Sequence, residues 1–219
     1  MLLPRPTLGG IALGRLRLPA LCLVTDRSAC LGRPLEQVVA AAVEAGVGVV
    51  QLRERDLPAR ELFELGSRLK GPIHAAGALL VVNDRMDVAM AVGADGVHLG
   101  ARSLTVAQAR RLCGDAMLVG ASAHSVQEAL RAETEGADYV ILGTIFETRS
   151  HPDVMPAGAK LVTEAAGALA IPVVAIGGVN AGNAPEVMAA GAAGVAVVTA
   201  IQSARDVAVA TLELLRAMD

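Results

Sequence analysis

Tryptophan is absent, and Phe63, Phe146 and Tyr139 are the only other aromatic residues in a chain of 219. A chain so poor in ring faces offers no row of stacking platforms, which single-stranded nucleic-acid binders need. Excess charge is missing as well. The formal net charge is -3, so neither nucleic acid nor an acidic membrane surface is attracted at long range; a local basic pocket can still hold a small anion. Cysteine is scarce: Cys22, Cys30 and Cys113 are not paired by spacing and do not cluster with histidines. They read as ordinary thiols of a reducing compartment, without a disulfide framework or a metal site. No apolar run reaches the roughly 20 residues needed to cross a bilayer. The apolar start is broken by Pro4, Pro6, Gly9, Gly10 and Gly14, which does not suit a secretory signal. The expectation is a cytoplasmic protein with no nucleic-acid or membrane partner.

What is present is aliphatic. Hydrophobic residues make up 53% and charged ones 19%, enough for a large core. One pattern recurs in EAGVGVVQLR (44–53), VGADGVHLG (92–100), EGADYVILG (135–143) and AGAAGVAVV (190–198). Each ends a helix-like stretch on a glycine and runs into a short apolar strand. Gly46, Gly93, Gly136 and Gly191 suit the left-handed position that closes a helix, and the β-branched run after each suits a strand buried on both faces. The glycines are spaced at about twice a βα unit, so a further strand belongs between each pair. Those strands are found at 20–25, 78–82, 116–122 and 171–178. Helical stretches fall at 35–45, 58–70, 85–92, 105–113, 125–135, 159–169, 183–190 and 204–217. Eight strands alternating with helices, and no hairpin signal, predict an α/β fold: a single (β/α)8 barrel over residues 19–219, preceded by an N-terminal extension, 1–18.

In such a barrel the ligand site is built at the C-terminal strand ends. Those positions carry Thr25 and Asp26, then Gln51, Arg53 and Arg55, Asn83 and Asp84, His98 and Gly100, Ser122 and His124, Gly143 to Ser150, Gly177 and Gly178, and Val198 and Thr199. The glycine turn Gly177–Gly178 and the helix start at Val198–Thr199 present backbone N–H groups suited to a phosphate. Along VQLRERD, Gln51, Arg53 and Arg55 share one side of the strand, where arginine can fork onto a carboxylate or phosphate; an ion pair of Arg53 with Glu54 or Asp84 would serve structure instead. His124 stands where it can transfer a proton or cap the helix that follows. His98, inside a strand, fits a core role as well as a site role; His74 reads as a surface residue, and His151, in a polar loop, as either a ligand contact or a residue without a role.

Taken together, VTD (24–26), QLRER (51–55), VND (82–84), DGVHLG (95–100), GASAHS (120–125), GADYVILG (136–143), FET (146–148), AIGGV (175–179) and AVVTAI (196–201) resemble the thiamine-phosphate synthase and TenI superfamily over nearly the whole chain. The resemblance implies a barrel, thiamine biosynthesis and a thiazole phosphate ligand. Its synthase branch joins a pyrimidine diphosphate to a thiazole phosphate, releasing pyrophosphate with Mg²⁺. The pattern of that branch has a lysine where Arg55 stands, a metal aspartate at Asp84, a second where Ser103 stands, and T-x-T-K where this chain has Thr148, Ser150 and His151. Its TenI branch aromatises a carboxythiazole phosphate by proton transfer without a metal, and its catalytic histidine falls on His124.

With one metal carboxylate and one lysine replaced, the motifs favour the tautomerase. In that reading His124 is catalytic, and Gln51, Arg53, Arg55, Asn83, Ser122, Thr148 and Ser150 contact substrate. Gly177, Gly178, Val198 and Thr199 hold its phosphate, and no cofactor is required. The alternatives are the synthase, with Mg²⁺ on Asp84, and a non-catalytic thiazole-phosphate-binding regulator. The partners expected are thiazole phosphate or carboxythiazole phosphate, and a homo-oligomer is compatible with the sequence.

Overall fold

The computed structural model describes residues 18–148 and 155–219. All four glycines expected to close a helix do so. Gly46, Gly93, Gly136 and Gly191 have φ of 115°, 65°, 99° and 97°, and behind each the next amide reaches back five residues, as Val47 N–H does to the Ala42 carbonyl. These are Schellman caps, which satisfy the last helical carbonyls and turn the chain directly into a strand.

The strands are β1 (Ala20–Val24), β2 (Val49–Leu52), β3 (Leu79–Asn83), β4 (Gly96–Leu99), β5 (Leu118–Ala123), β6 (Tyr139–Leu142), β7 (Val173–Ile176) and β8 (Gly194–Val197). They pair in parallel, in chain order, and β8 closes on β1. The helices around them are α1 (Leu35–Glu44), α2 (Ala59–Ala75), α3 (Met86–Val92), α4 (Val106–Cys113), α5 (Val126–Thr134), α6 (Ala159–Ala168), α7 (Ala184–Ala189), α8 (Thr199–Gln202) and α9 (Val207–Met218). The (β/α)8 barrel expected from the alternation is the fold. Among the described residues no helix is long and apolar enough to cross a membrane. The extension falls outside the described residues except for Leu18.

Three details depart from the sequence reading. A short 3-10 helix, Arg27–Cys30, follows β1, capped by the Asp26 carboxylate on the Ser28 amide. Next, α2 runs through Gly71 and Pro72 to Ala75, where a stop at residue 70 was expected. Burial of Ile73 with no exposed surface overrides the local cost of proline. Its last turn carries His74, which is no free surface residue: Nε2 lies 2.7 Å from the Asp95 carboxylate. Finally, the helix expected over 204–217 is α9, starting at Val207, and a separate four-residue helix, α8, precedes it.

The core has two parts. Cys22, Val24, Val49, Leu79, Val81, Leu118, Tyr139, Ile141, Val174 and Ala196 fill the barrel, while outward residues such as Leu23, Leu52, Leu80 and Leu142 pack under the helices. Successive strand residues point to opposite faces, so each strand feeds both parts. Interior space is limited, and glycine relieves it. A Cβ on Gly120 would lie 2.2 Å from the Tyr139 ring, and one on Gly194 would lie 2.2 Å from the Ala20 carbonyl oxygen across the closing seam.

The seam contact is against backbone, which cannot swing away. Gly194→Ala is therefore expected to destabilise the protein by about 1–3 kcal/mol, read as a lower urea midpoint at unchanged slope. A midpoint equal to wild type would show that the seam is loosely packed.

Candidate active site

The interior face changes from apolar to polar one residue below the C-terminal rim. Gln51, at the end of β2, is buried beside Asn83, at the end of β3. The Gln51 Nε2 group donates to Asn83 Oδ1 at 2.8 Å, and Asn83 Nδ2 donates to Asp84 Oδ2 at 2.7 Å. Asp84 Oδ1 accepts the Gly100 amide at 2.9 Å and the Ser103 hydroxyl. Asp84 holds a φ of 59°, an unfavourable conformation for a residue with a side chain, and the bonds from Asn83, Gly100 and Ser103 keep it there. Burial opposes its ionisation, but the Ser103 hydroxyl, the Gly100 amide and nearby Arg55 outweigh that and hold its carboxyl below the usual range.

Arg53 follows on the same inward side, half-buried, with Arg55 exposed beyond it. Burial, and then the neighbouring Arg55, lower the Arg53 pKa, although Asp26, Asp84 and Glu54 all lie close enough to oppose this. Among the described residues Arg53 forms no ion pair. Each nearby carboxylate is already engaged. Asp26 accepts the Ser28 amide at 3.0 Å, and Glu54, facing the other way as alternation requires, accepts the Arg27 amide at 3.1 Å. The alternative of a structural Arg53 pair with Glu54 or Asp84 is therefore not realised. Burial raises the Glu54 pKa, with the Thr25 hydroxyl and the Arg27 amide opposing it.

His98 belongs to this polar layer. It is 1% exposed, its Nε2 lies 2.9 Å from Ser122 Oγ, and burial holds its pKa down at about 4. Its ring lies 5.8 Å from the Tyr139 ring, which crosses the space left by Gly120. Among the described residues three buried side-chain atoms have no partner: Gln51 Oε1 and His98 Nδ1 on the inward side, and Glu54 Oε1 on the other. A buried polar atom without a partner is costly, and at a barrel mouth it points to a ligand or a water.

On the other side of the mouth, Gly177 and Gly178 have φ of 98° and 65°. A Cβ on Gly178 would lie 2.3 Å from the Glu147 carbonyl oxygen, so only glycine lets this turn lie against the loop after β6. The Gly178 carbonyl is held by the side chains of Asn180 and Asn183 at 3.2 and 3.0 Å. Because Ile176 pairs with Ala196, continuing the register sets Gly178 beside Val198. There α8 begins without a side-chain cap, and its first N–H groups need other acceptors.

His124 stands just past β5, on the same rim. Its Nδ1 lies 2.5 Å from the Gly143 carbonyl oxygen; a carbonyl only accepts, so Nδ1–H donates. Helix capping falls to Ser125 on the Glu128 amide, while the Glu128 carboxylate takes the His124 amide at 2.7 Å. Thr148 lies half-buried at the end of the described part of the β6 loop, and Ser150 and His151 fall outside the described residues. The strand-end reading thus brings Gln51, Asn83, Asp84, Arg53, Ser122, His124 and the glycine turn to one rim. It missed the convergence of Ser103 on Asp84 and left His98 undecided. The signal for His98 was its parity, inward between Gly96 and Gly100.

The family model described as TMP-TENI, thiamine monophosphate synthase, matches residues 21–201. The thiamine-phosphate synthase of Haloarcula marismortui is 46% identical over 201 residues, covering 90% of this chain and 95% of the relative. That of Moorella thermoacetica is 46% identical over 184 residues, covering 84% and 88%. A solved thiamine phosphate pyrophosphorylase from Pyrococcus furiosus superposes with a TM-score of 0.84 at 39% identity, covering 91% of this chain and 95% of that one. These relatives overturn the tautomerase, and with it the assignment as an isomerase. The proton-transfer step given to His124 goes with them. The inference failed because it scored residue identity where the chemistry depends on charge and position. Arg55 keeps a cation where the synthase pattern has one lysine, Ser103 reaches the Asp84 carboxylate even without a carboxylate of its own, and His151, where the pattern has its other lysine, lies outside the described residues.

A neutral buried histidine has a consequence for stability. Unfolded His98 gains a proton near pH 6.5, whereas folded His98 gains it only near pH 4. Between these values the unfolded state binds more protons, so stability falls as pH falls. From pH 7 to pH 5 the wild type is expected to lose about 2 kcal/mol more than His98→Gln, measured by urea unfolding at both pH values. Parallel losses in the two proteins would place His98 in a solvated setting.

Proposed function

The chain belongs to the TMP-TENI family, and from that premise we propose that it is a thiamine-phosphate synthase, joining a pyrimidine diphosphate to a thiazole phosphate with release of pyrophosphate. The observation that carries this reading is the 46% identity, over nearly full length, to thiamine-phosphate synthases. The mouth supports it with two separate places for anions: Arg53 and Arg55 beside Asp84 on the β2–β3 side, and the glycine turn beside the start of α8 on the β7–β8 side. Two phosphorylated substrates need two such places.

In the product a methylene carbon links the pyrimidine to the thiazole ring nitrogen. The nitrogen lone pair must reach that carbon as its bond to the diphosphate oxygen breaks, and pyrophosphate leaves with the bonding electrons. The chain's task is to hold the two reactants in line and stabilise the departing charge. Backbone N–H groups of Gly177, Gly178, Val198 and Thr199 hold the thiazole phosphate. Arg53, whose guanidinium has no ion-pair partner among the described residues, and Arg55 face the diphosphate. Gln51, Asn83 and Ser122 offer hydrogen bonds to the pyrimidine and its leaving group from the floor and wall of the mouth.

The reaction implies Mg²⁺, and the donor set here fits a modest site. Magnesium commonly binds through one or two carboxylates and the substrate's phosphates, keeping several waters. Asp84 supplies an ionised carboxylate at the rim, and Ser103 a neutral oxygen beside it. Among the described residues no group of three ligand-type side chains forms a cage, so the diphosphate would complete the coordination. Bound there, the cation would supply charge neutralisation to the leaving diphosphate.

Incubation with both substrates and Mg²⁺ is expected to yield thiamine phosphate and pyrophosphate in equal amounts. Asp84→Asn is expected to lower kcat/KM by about two to three orders of magnitude. Binding of the thiazole phosphate without any turnover would replace the synthase by a non-catalytic binding protein.

A further inference from the structure

Ser122 is the one inward hydroxyl on β5, and its position is set from beneath by a stack of interior residues. Gly120, two residues earlier on the same face, lacks the Cβ that would collide with Tyr139. The Tyr139 ring therefore crosses β5 and lies against the His98 ring. His98, on the neighbouring strand, then meets Ser122 Oγ through Nε2 at 2.9 Å. Its other nitrogen, Nδ1, is buried without a partner among the described residues.

These contacts leave two arrangements. If Nδ1 carries the proton, a buried N–H is orphaned, and the Ser122 hydroxyl must spend its hydrogen on Nε2. If Nε2 carries it, the orphan is a ring lone pair, which is the lesser loss, since orphaned buried N–H groups are the rarer kind. In the second arrangement Nε2–H donates to Ser122 Oγ and the hydroxyl hydrogen turns to the mouth. Hydrogen bonds in such a chain polarise one another, so the hydroxyl becomes a better donor to an anionic oxygen.

We infer that His98 is a positioning residue of this site: as the neutral Nε2–H tautomer, seated on Tyr139 over Gly120, it aims the Ser122 hydroxyl at an oxygen of the departing diphosphate. The aim of the hydroxyl rests on the synthase reading; the tautomer does not.

The test has two arms. In the kinetic arm, Ser122→Ala and His98→Asn each lower kcat about tenfold or more, with KM for both substrates within about threefold. His98→Gln, whose amide nitrogen reaches where Nε2 stood, restores kcat to within about threefold of wild type; asparagine reaches only to Nδ1 and does not. His98→Asn combined with Ser122→Ala is no slower than Ser122→Ala alone. Additive losses in the double variant, or equal defects in the glutamine and asparagine variants, would overturn the proposal. In the second arm, 15N NMR of histidine-labelled protein without substrates reports the His98 tautomer. Protonation at Nε2, with its proton resonance displaced in Ser122→Ala, is expected; protonation at Nδ1 sinks the proposal. A wild type that makes no thiamine phosphate defeats the synthase reading, and the NMR arm still decides the tautomer.

Discussion

Closure of the sheet is the constraint on which everything else rests. The seven strand pairings from β1 to β8 are met by an eighth, β8 on β1, so no strand presents an unpaired edge. Most strands are only four or five residues long, and alternation then allows two or three inward positions each. The last of these on β2, β3, β4 and β5 are Gln51, Asn83, His98 and Ser122. Closure curves these polar groups into one arc of a ring that Val24, Ile141, Ile176 and Ala196 complete with apolar groups, and the loops above the ring share a single rim. An open sheet with the same strands would spread the same residues along a line.

A ring of this kind has an energetic cost. Buried polar groups favour folding only when fully satisfied, and a partly satisfied network is worse than an apolar layer. Most of the ring is satisfied internally: Gln51 to Asn83, Asn83 to Asp84, His98 to Ser122. What is left over, Gln51 Oε1 and His98 Nδ1, lies at the level of the mouth. The strained φ of Asp84 lies just above it. Two unsatisfied inward atoms and the positive φ of Asp84 thus lie together at the mouth, while below it glycine and aliphatic residues pack the barrel tightly. Local departures from good folding practice gathered at one place are the mark of a functional site.

How much of this could be read from the chain depended on the range of the interaction. The Schellman glycines, the alternation through Gln51 and Arg53 and the glycine turn at 177–178 are local signals, decided within a few residues, and they were legible. Contacts that join distant segments were not. Only the family pattern, not the residues around it, sets Ser103 beside Asp84, and nothing near Gln202 tells that its carboxamide exchanges two hydrogen bonds with the Asp26 backbone. His74 read as a surface residue because Asp95, its partner, belongs to another unit of the barrel. The helix expected over 58–70 runs on through Gly71 and Pro72 because the burial of Ile73, which no local signal announces, outweighs their cost. The choice of reaction failed in a related way. The replacement of an aspartate by Ser103 reads as a plain loss of a ligand, although the fold delivers its oxygen to the Asp84 carboxylate.

The availability of Arg53 shows how such non-local contacts make a site. A half-buried guanidinium among three carboxylates would ordinarily be neutralised by one of them. Here each is committed elsewhere: Asp26 caps the 3-10 helix, Glu54 turns outward to the Arg27 amide, and Asp84 gathers Asn83, Gly100 and Ser103. The carboxylates lower the cost of burying the cation at a distance, yet none offers it a contact. A charge held this way is ready for an incoming anion, and no ion pair has to be broken first. The structural contacts of the neighbours, rather than any feature of the arginine itself, are what make it a binding group.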